Sequence, residues 1–478
     1  MNPNQKTTFA GSKLESWAFG IIIGLAFLLP VAFLPIQYLQ SGMIKGYLTV
    51  FAILAVAFLY TFSRIKAKSF EWFGGFLPYA ILLGIILVLI SSIGSGSFVM
   101  SFFGQGYEYS TAGFLILLAI LGMISTFIFS RNHARNLTLY AALFLSFVLV
   151  ALFQIVKLIS PASLSFGGIL SGATATLIGS WYDLGFFSAV VLILALTAFP
   201  RMPLGRSRQI VLAVIALVAV FFLVLIGMPL IWLGLALVFL SLAVVYWATS
   251  SGPWTHRLSW WNIGIFIVMA LLSWKGNVIS APLITATNAT YSELHLPWQM
   301  TLDVGTGSLK SAPIVGSGPN TFTKQYLLYK PASINQTDFW SVEFSQGSGF
   351  VPTLASTLGL AGIILIIILY TCYIRAGIKS LKLRQSDPLA EYFSRSSFFA
   401  AAFLSFIMLS YAPSYAVLVI TVLLAGLFIG TEIQNGTISS RIIPFNFKAG
   451  FAIPSNILAI CLVLIFAVGI IWYGMKAV

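Results

Sequence analysis

Charged residues are scarce in this sequence. Lys and Arg number 25 and Asp and Glu 11 in a chain of 478 residues, or 8% of the total, whereas an ordinary soluble domain has roughly 25%. Hydrophobic residues make up 59%, and the mean hydropathy is +1.00. A soluble fold of this size cannot cover its surface with so few charges, so the composition excludes a cytosolic enzyme, a nucleic-acid-binding protein and a disordered chain. It predicts an all-α, polytopic integral membrane protein.

Cysteine is also nearly absent. Cys372 and Cys461 both lie inside apolar runs, where a cysteine behaves as a small buried hydrophobic residue. Two such positions exclude a disulfide framework and a metal cluster built from cysteine. The N-terminal segment has Lys6 and Lys13 before its apolar run and shows no evident cleavage site for a signal peptidase. We therefore predict that this run is a first transmembrane span.

Thirteen segments have the composition of transmembrane helices, which need ~20 mostly apolar residues to cross ~30 Å of hydrocarbon. They are residues 17–35, 44–62, 73–93, 111–129, 137–158, 183–199, 210–227, 229–247, 259–274, 351–372, 396–412, 414–431 and 456–474. The run from Gln209 to Thr255 is too long for one crossing at ~1.5 Å per residue, so we divide it at Gly227-Met228-Pro229. Pro413 divides the run over 396–431 in the same way.

Basic residues are distributed unevenly between the predicted connections. With the N-terminus in the cytoplasm, 18 of the 25 cations lie inside, including all 11 arginines, and seven lysines lie outside. A missed span would scramble this pattern, so it supports the first twelve spans; only Lys476 follows the thirteenth. The net charge of +14 is therefore a topological signal, and we expect no nucleic-acid partner. We predict nine spans in residues 1–274, an extracytoplasmic loop over 275–350 and about four spans in 351–478, or 12 to 13 in all.

A few charged residues near the outer span ends have both a structural and a functional interpretation. Lys157 either snorkels to the membrane interface or serves a site. Asp183 either caps the N-terminus of the sixth span or belongs to a site. Glu108 is either a solvated loop carboxylate or a site residue. The outside segment 159–182 is either a surface loop or a re-entrant segment shielded by protein.

The long predicted loop contains a glycine turn with a distinctive spacing. Trp298 is followed by PIVGSGPNTF over residues 313–322, and LGLAG over 358–362 opens the next span. Together these motifs resemble the O-antigen ligase/polymerase family of polytopic bacterial membrane proteins, in which a similar turn precedes a similar span. IGSWYDLG over 178–185 resembles an earlier loop of that family. The architecture agrees, with about a dozen spans, a cytoplasmic N-terminus and one long outside loop.

The resemblance implies transfer of a glycan from an undecaprenyl-pyrophosphate carrier to an acceptor hydroxyl at the outer face of the bacterial cytoplasmic membrane. It implies no metal and no cofactor, with membrane lipid, a lipid-linked glycan donor and a glycan, lipid or protein acceptor as partners. Two features of the family are missing. Its His-Asn pair before the LG motif is replaced by Gly347-Ser348-Gly349, and every outside cation is a lysine where the family has arginines.

A phosphate-binding region is predicted around the glycine turn. Lys310, Lys324 and Lys330 flank Gly316 and Gly318 and are the only cations in this part of the loop. Cations near a pyrophosphate leaving group stabilise the charge that develops on it, and glycines let backbone amides approach a ligand. A purely structural turn is the alternative.

A general base is needed to take the proton of the acceptor. His295 is the one histidine in the predicted outside regions, and Glu343 precedes the position of the missing His-Asn pair. We predict these two as catalytic candidates and Asp183 as a substrate-binding candidate. A surface histidine and an ion pair between Glu343 and a loop lysine are the alternatives.

Three functions fit these observations. The first is a metal-independent glycan ligase or polymerase. The second is a lipid-linked sugar flippase or other transporter, against which the near absence of charges in the middle of the spans argues. The third is a catalytically inactive relative that takes part in envelope assembly, which the missing His-Asn pair favours.

Overall fold

A computed structural model describes residues 13–35, 41–104, 108–200, 202, 205–248, 253–331, 334, 336, 340–383 and 387–444. The protein is all-α, as predicted, and it has in addition one short two-stranded sheet that was not predicted. The helices before the long loop are α1 (Lys13–Val31), α2 (Ser41–Lys66), α3 (Leu77–Gly94), α4 (Phe98–Phe102), α5 (Ala112–Phe129), α6 (His133–Ile159), α7 (Trp181–Ala198), α8 (Arg206–Ile226), α9 (Pro229–Ala248) and α10 (Pro253–Lys275).

The long loop is itself partly helical. It contains α11 (Asn277–Thr287), α12 (Trp298–Ser311) and α13 (Phe322–Tyr329). The chain then continues through α14 (Phe350–Lys382), α15 (Pro388–Ile407) and α16 (Tyr415–Gln434), and the strands are β1 (Ser69–Phe73) and β2 (Ser440–Pro444). Leu296, Val304, Phe322, Tyr326, Ile334 and Phe344 form a small separate core within the loop. The loop is thus a folded element packed from its own side chains.

Eleven of the described helices are long and apolar enough to cross a membrane, and each coincides with a predicted span. They are α1, α2, α3, α5 to α10, α14 and α16. The predicted span 396–412 corresponds to α15, which begins earlier, at Pro388, because the side chain of Asp387 accepts a hydrogen bond from the Leu389 amide and caps the helix. The predicted span 456–474 lies outside the described residues.

The helices alternate between two ends of one bundle, which we call the N-terminal end, where α1 begins, and the loop end, where α11 to α13 lie. β1 follows α2 and β2 follows α16, and the two strands pair antiparallel from Ser69 opposite Pro444 to Phe73 opposite Ser440. The predicted alternation of spans places both segments at the N-terminal end. The strand pairing agrees with that alternation.

Helices from both predicted membrane segments, 1–274 and 351–478, share one hydrophobic core. α16 packs along α5, α15 packs against α7 and α16, and α7 and α16 are buried over most of their length. These two helices therefore form the centre of the bundle. Both begin at the loop end, at Trp181 and Tyr415.

Five charged side chains form a buried ionic cluster at the N-terminal end. Arg64 binds Glu15 at 2.5 Å and Glu71 at 2.6 Å, and Arg131 binds the same two carboxylates at 2.9 and 2.7 Å. Arg135 adds a bond of 2.8 Å to Glu15. Burial disfavours the charged form of Arg131, but the two carboxylates outweigh this effect and raise its pKa. The cluster joins α1, α2, β1, the α5–α6 connection and the first turn of α6.

Neutralising the central carboxylate is expected to destabilise the protein. In Glu15→Gln, the buried guanidinium group of Arg64 and the partly buried ones of Arg131 and Arg135 lose an anionic partner, and removal of one member of a buried ion pair costs about 3–5 kcal/mol. We therefore expect a clear fall in the thermal unfolding midpoint of the detergent-solubilised protein. Asp303→Asn is the control, because the bond that the Asp303 carboxylate accepts from Gln299 is exposed and long, at 3.4 Å. Equal falls in both variants would contradict a stabilising role for the cluster.

Candidate functional site

A cluster of aromatic and acidic side chains lies at the loop end of the bundle. We define the loop-end cluster as Tyr182, Tyr291, Glu293, His295 and Tyr411. The Glu293 carboxylate accepts hydrogen bonds from Tyr411 (2.9 Å) and Tyr291 (3.0 Å), and the His295 Nε2 lies 3.6 Å from its Oε2. The His295 ring packs edge-on against Tyr411, with ring centroids 5.0 Å apart. A carboxylate, an imidazole and two phenols thus meet in one place.

The cluster is buried on one side and open on the other. Tyr411 is only 3% exposed, whereas the side chains of Glu293 and His295 keep 31% and 39% of their surface exposed. Tyr411 lies in the short connection between α15 and α16. Glu293 and His295 lie in the segment before α12, and both contact Tyr411. The two groups with acid–base chemistry are therefore the accessible ones.

A chain of hydrogen bonds runs from the cluster into the bundle. The Tyr411 hydroxyl is 2.8 Å from the Ser180 hydroxyl, and Ser180 is the N-cap residue of α7. Asp183 completes a capping box by accepting the Ser180 amide at 2.9 Å, and it also accepts the Ser414 amide at 3.1 Å. The structure thus supports the capping role of Asp183, a buried residue that lies beneath the cluster and joins the start of α7 to that of α16.

The tyrosines of the cluster are held in their protonated form. Burial, followed by the negative charges of Asp183 and Glu293, raises the pKa of Tyr411 well above its ordinary value. Burial and Glu293 do the same to the pKa of Tyr291. Both phenols therefore remain hydrogen-bond donors to Glu293 at physiological pH, and they fix the position of its carboxylate.

Two buried lysines hold the neighbouring segment 160–180. Lys157 donates to the carbonyls of Pro161 (2.6 Å), Leu170 (2.8 Å) and Ser163 (3.2 Å) and is 0% exposed, so the snorkelling interpretation is wrong. Lys45 donates to the carbonyls of Leu177 and, at 2.7 Å, Ile178. Sequence inspection missed Lys45 because nothing near position 45 indicates that its partners lie more than 130 residues later.

The predicted lysines lie on or beside two helices of the loop, α12 and α13. Lys310 ends α12 and is exposed; it lies roughly 18 Å along the helix axis from the start of α12, which directly follows the His295 segment. Lys324 is exposed on α13. Lys330 donates to the Trp340 carbonyl at 3.3 Å and lies over the Tyr326 ring.

Glu343 is also exposed, in the segment before α14. Glu108 lies in the segment 94–110, and its carboxylate packs against Gly104. The next residue, Tyr109, donates to the Ala412 carbonyl at 3.4 Å. Segment 94–110 thus reaches the same α15–α16 connection that carries Tyr411.

The two motifs that carry the family resemblance interlock. The amides of Leu360, Ala361 and Gly318 donate to the carbonyls of Pro313 (2.9 Å), Ile314 (3.0 Å) and Thr357 (3.0 Å), respectively. This pairing interrupts α14 at Gly359, whose φ of 68° and ψ of −167° belong to a region that is essentially restricted to glycine.

Gly316 also has a positive φ of 73°, and a Cβ there would lie 2.1 Å from the Thr357 carbonyl oxygen. The Gly318 amide is already bonded to the protein. The glycine turn therefore has a clear scaffolding role in joining the loop to α14.

The segment that replaces the family's His-Asn pair has no room for large side chains. A Cβ on Gly347 would lie 2.6 Å from Thr301, and one on Gly349 would lie 2.6 Å from the Leu409 carbonyl oxygen. The next amide, that of Phe350, donates to the Tyr411 carbonyl at 3.2 Å. The loop-end cluster thus stands beside the position where the family resemblance implies the catalytic pair.

Among the described residues, no group of three or more His, Cys, Asp or Glu side chains is arranged to hold a metal ion. The sequence matches no known protein family, and it matches no curated protein. The resemblance to O-antigen ligases therefore remains a prediction that rests on the motifs themselves.

Substitution of the glycine that interrupts α14 is expected to destabilise the interlock. In Gly359→Ala, the residue is forced into a backbone region that costs about 1–3 kcal/mol, and its Cβ would lie 2.5 Å from the Gly316 amide nitrogen. A lower thermal unfolding midpoint in detergent tests this. Gly24→Ala, inside α1 and with no atom within 4 Å of the added Cβ, should leave the midpoint unchanged or slightly raise it. An unchanged midpoint in Gly359→Ala would argue against the interlock.

Proposed function

We propose that this protein transfers a glycan from an undecaprenyl-pyrophosphate carrier to an acceptor hydroxyl, with its loop end at the outer face of the bacterial cytoplasmic membrane. The observation that carries the proposal is the half-exposed pair of Glu293 and His295 at the loop end of a multi-pass bundle. The motifs over 313–322 and 358–362 support the substrate class. The accessible imidazole supports an acid–base reaction there.

The proposed reaction is a displacement at the anomeric carbon of the donor sugar. The acceptor oxygen forms the new bond to that carbon while His295 takes its proton. The bond between the anomeric carbon and the pyrophosphate oxygen breaks, and its electron pair leaves with the lipid pyrophosphate. Glu293, fixed by the phenols of Tyr291 and Tyr411, stabilises the imidazolium that forms.

The exposed lysines have a separate role in this scheme. Because Lys310 lies roughly 18 Å along α12 from the segment that carries His295, it does not touch the leaving group while His295 acts as the base. Lys310 and Lys324 instead raise the local concentration of the anionic donor by their electrostatic field. Stabilisation of the charge on the leaving group falls to groups close to the cluster, where Tyr182 adds a phenol whose ring packs against those of Tyr291 and Tyr411.

Loss of the imidazole is expected to abolish most of the activity. In His295→Ala, kcat for transfer from an undecaprenyl-pyrophosphate-linked glycan in proteoliposomes should fall about 10²- to 10⁴-fold, the usual contribution of a general base. Glu293→Gln should give a smaller fall in kcat. The matched control is His133→Ala, because His133 also lies near a carboxylate, that of Asp387, but at the N-terminal end.

Full activity in both His295→Ala and Glu293→Gln would overturn the site assignment. Absence of transfer by the wild-type protein with a range of lipid-linked donors would favour a catalytically inactive relative. Movement of the donor across the vesicle membrane without transfer would favour a flippase.

Removal of the exposed loop cations is expected to weaken donor capture alone. The double variant Lys310→Gln/Lys324→Gln should raise KM for the donor several-fold and leave kcat unchanged, because the lost interaction is made before the transition state. The difference from wild type should shrink with salt, since the screening length falls from about 10 Å at 0.1 M to about 3 Å at 1 M. Lys382→Gln, exposed at the N-terminal end, is the control. A fall in kcat with unchanged KM would place the lysines at the reaction instead.

A further inference from the structure

An apolar groove runs along the bundle between α3, α5, α14 and α16. It has a volume of about 400 Å³ and is lined almost entirely by apolar side chains of these four helices. On α14 the lining extends from Leu354 to Tyr373, roughly 28 Å along the helix axis. This length approaches the ~30 Å thickness of the hydrocarbon layer. A chain within the groove would therefore run parallel to the lipid tails.

Two close helix contacts border the groove, one between α16 and α5 and the other between α3 and α14. In the first contact, a Cβ on Gly426 of α16 would lie 2.0 Å from the Ser125 hydroxyl of α5, so these helices meet through small residues. In the second contact, a Cβ on Gly84 of α3 would lie 3.2 Å from the Leu365 side chain of α14. Small residues thus set the helix spacing that leaves the groove beside them.

The groove adjoins a second pocket at the N-terminal end. This pocket has a volume of about 320 Å³ and shares Phe73, Leu77 and Ile429 with the groove. Its lining contains Arg375 and Lys379, one helical turn apart on α14, whereas the groove lining contains no charged residue. The combined space is apolar along the membrane and cationic at one end.

In the part of the chain that the structure describes, no ion pair joins Arg375 or Lys379 to a carboxylate. Lys379 donates one hydrogen bond, to the Thr437 carbonyl at 2.6 Å, and both side chains are exposed. Guanidinium and ammonium groups at a membrane interface bind phosphate oxygens.

We propose that the groove and its pocket form a binding site for one anionic phospholipid from the leaflet at the N-terminal end. The phosphate binds Arg375 and Lys379, and one acyl chain enters the groove between α3 and α14. Net negative charge on the lipid is favoured because neither cation forms an ion pair with a carboxylate of the described residues. The site lies at the opposite end of the bundle from His295, and it does not depend on the proposed transfer reaction.

Lipid binding to the purified full-length protein tests this proposal. In detergent, dioleoylphosphatidylglycerol should raise the thermal unfolding midpoint, because a ligand that binds only the folded state stabilises it. Dioleoylphosphatidylcholine tests the charge requirement, and glycerol phosphate tests whether the phosphate group suffices without acyl chains. Neither should raise the midpoint at matched concentrations.

Two variants separate the contributions of the headgroup and the chain. Arg375→Gln/Lys379→Gln should weaken phosphatidylglycerol binding at least tenfold, measured by native mass spectrometry. Ala119→Phe fills the groove from α5 and should also weaken binding while both cations remain. The control is Lys66→Gln/Arg206→Gln, which removes two exposed cations at the same end that line neither pocket; it should bind like wild type.

Several results would overturn the proposal. Equal binding of phosphatidylcholine and phosphatidylglycerol would indicate general solvation by lipid. Binding of glycerol phosphate as tight as that of phosphatidylglycerol would indicate a free anion site. An equal loss of binding in the control pair would indicate a diffuse electrostatic effect, and wild-type affinity in Ala119→Phe would exclude the groove.

Discussion

The hydrocarbon layer offers no water to backbone polar groups, and the rest of this structure depends on that constraint. Within the helices the backbone groups bond to one another, whereas the irregular segment 160–180 also depends on side chains as hydrogen-bond partners. Lys157 and Lys45 therefore turn their ammonium groups inward onto its carbonyls. At the N-terminal end the same constraint forces charged side chains to pair, and the ionic cluster around Glu15 results. Buried charge in this protein is thus used mainly to hold connections in place.

The loop-end cluster differs from those buried pairs. Its buried side is hydrogen-bonded to the bundle through Tyr411, and its other side, formed by Glu293 and His295, is partly exposed. Asp183 and Ser180 anchor Tyr411, and Tyr411 in turn anchors Glu293. Each of these groups has its partners, so the carboxylate is fixed before any ligand arrives. Such preorganisation is what an acid–base site requires. In the proposed reaction, the exposed imidazole of His295 is the group that exchanges a proton with the substrate.

α14 connects the two proposed sites. Its first turns contact the glycine turn and the Tyr411 connection, and its last turns carry Arg375 and Lys379. The interruption at Gly359 lies between them and is stabilised by backbone hydrogen bonds from the loop. One helix thus contacts the loop at one end of the bundle and carries the two cations of the proposed lipid site at the other.

The sequence alone determined the fold class and the eleven spans that coincide with α1 to α3, α5 to α10, α14 and α16, because apolar length and the placement of basic residues are local properties of the sequence. It also indicated His295 and Asp183, and their connection through Glu293 and Tyr411 appeared only in the structure. Tyr411 and Glu293 are 118 residues apart, and no local pattern records such a contact. The tertiary structure likewise decided that Lys157 is buried, that Lys310 and Lys324 are exposed on the loop helices, and that the glycine turn bonds to α14 on either side of Gly359. These outcomes depend on which backbone groups remain unsatisfied after the helices pack, which no single segment of sequence specifies.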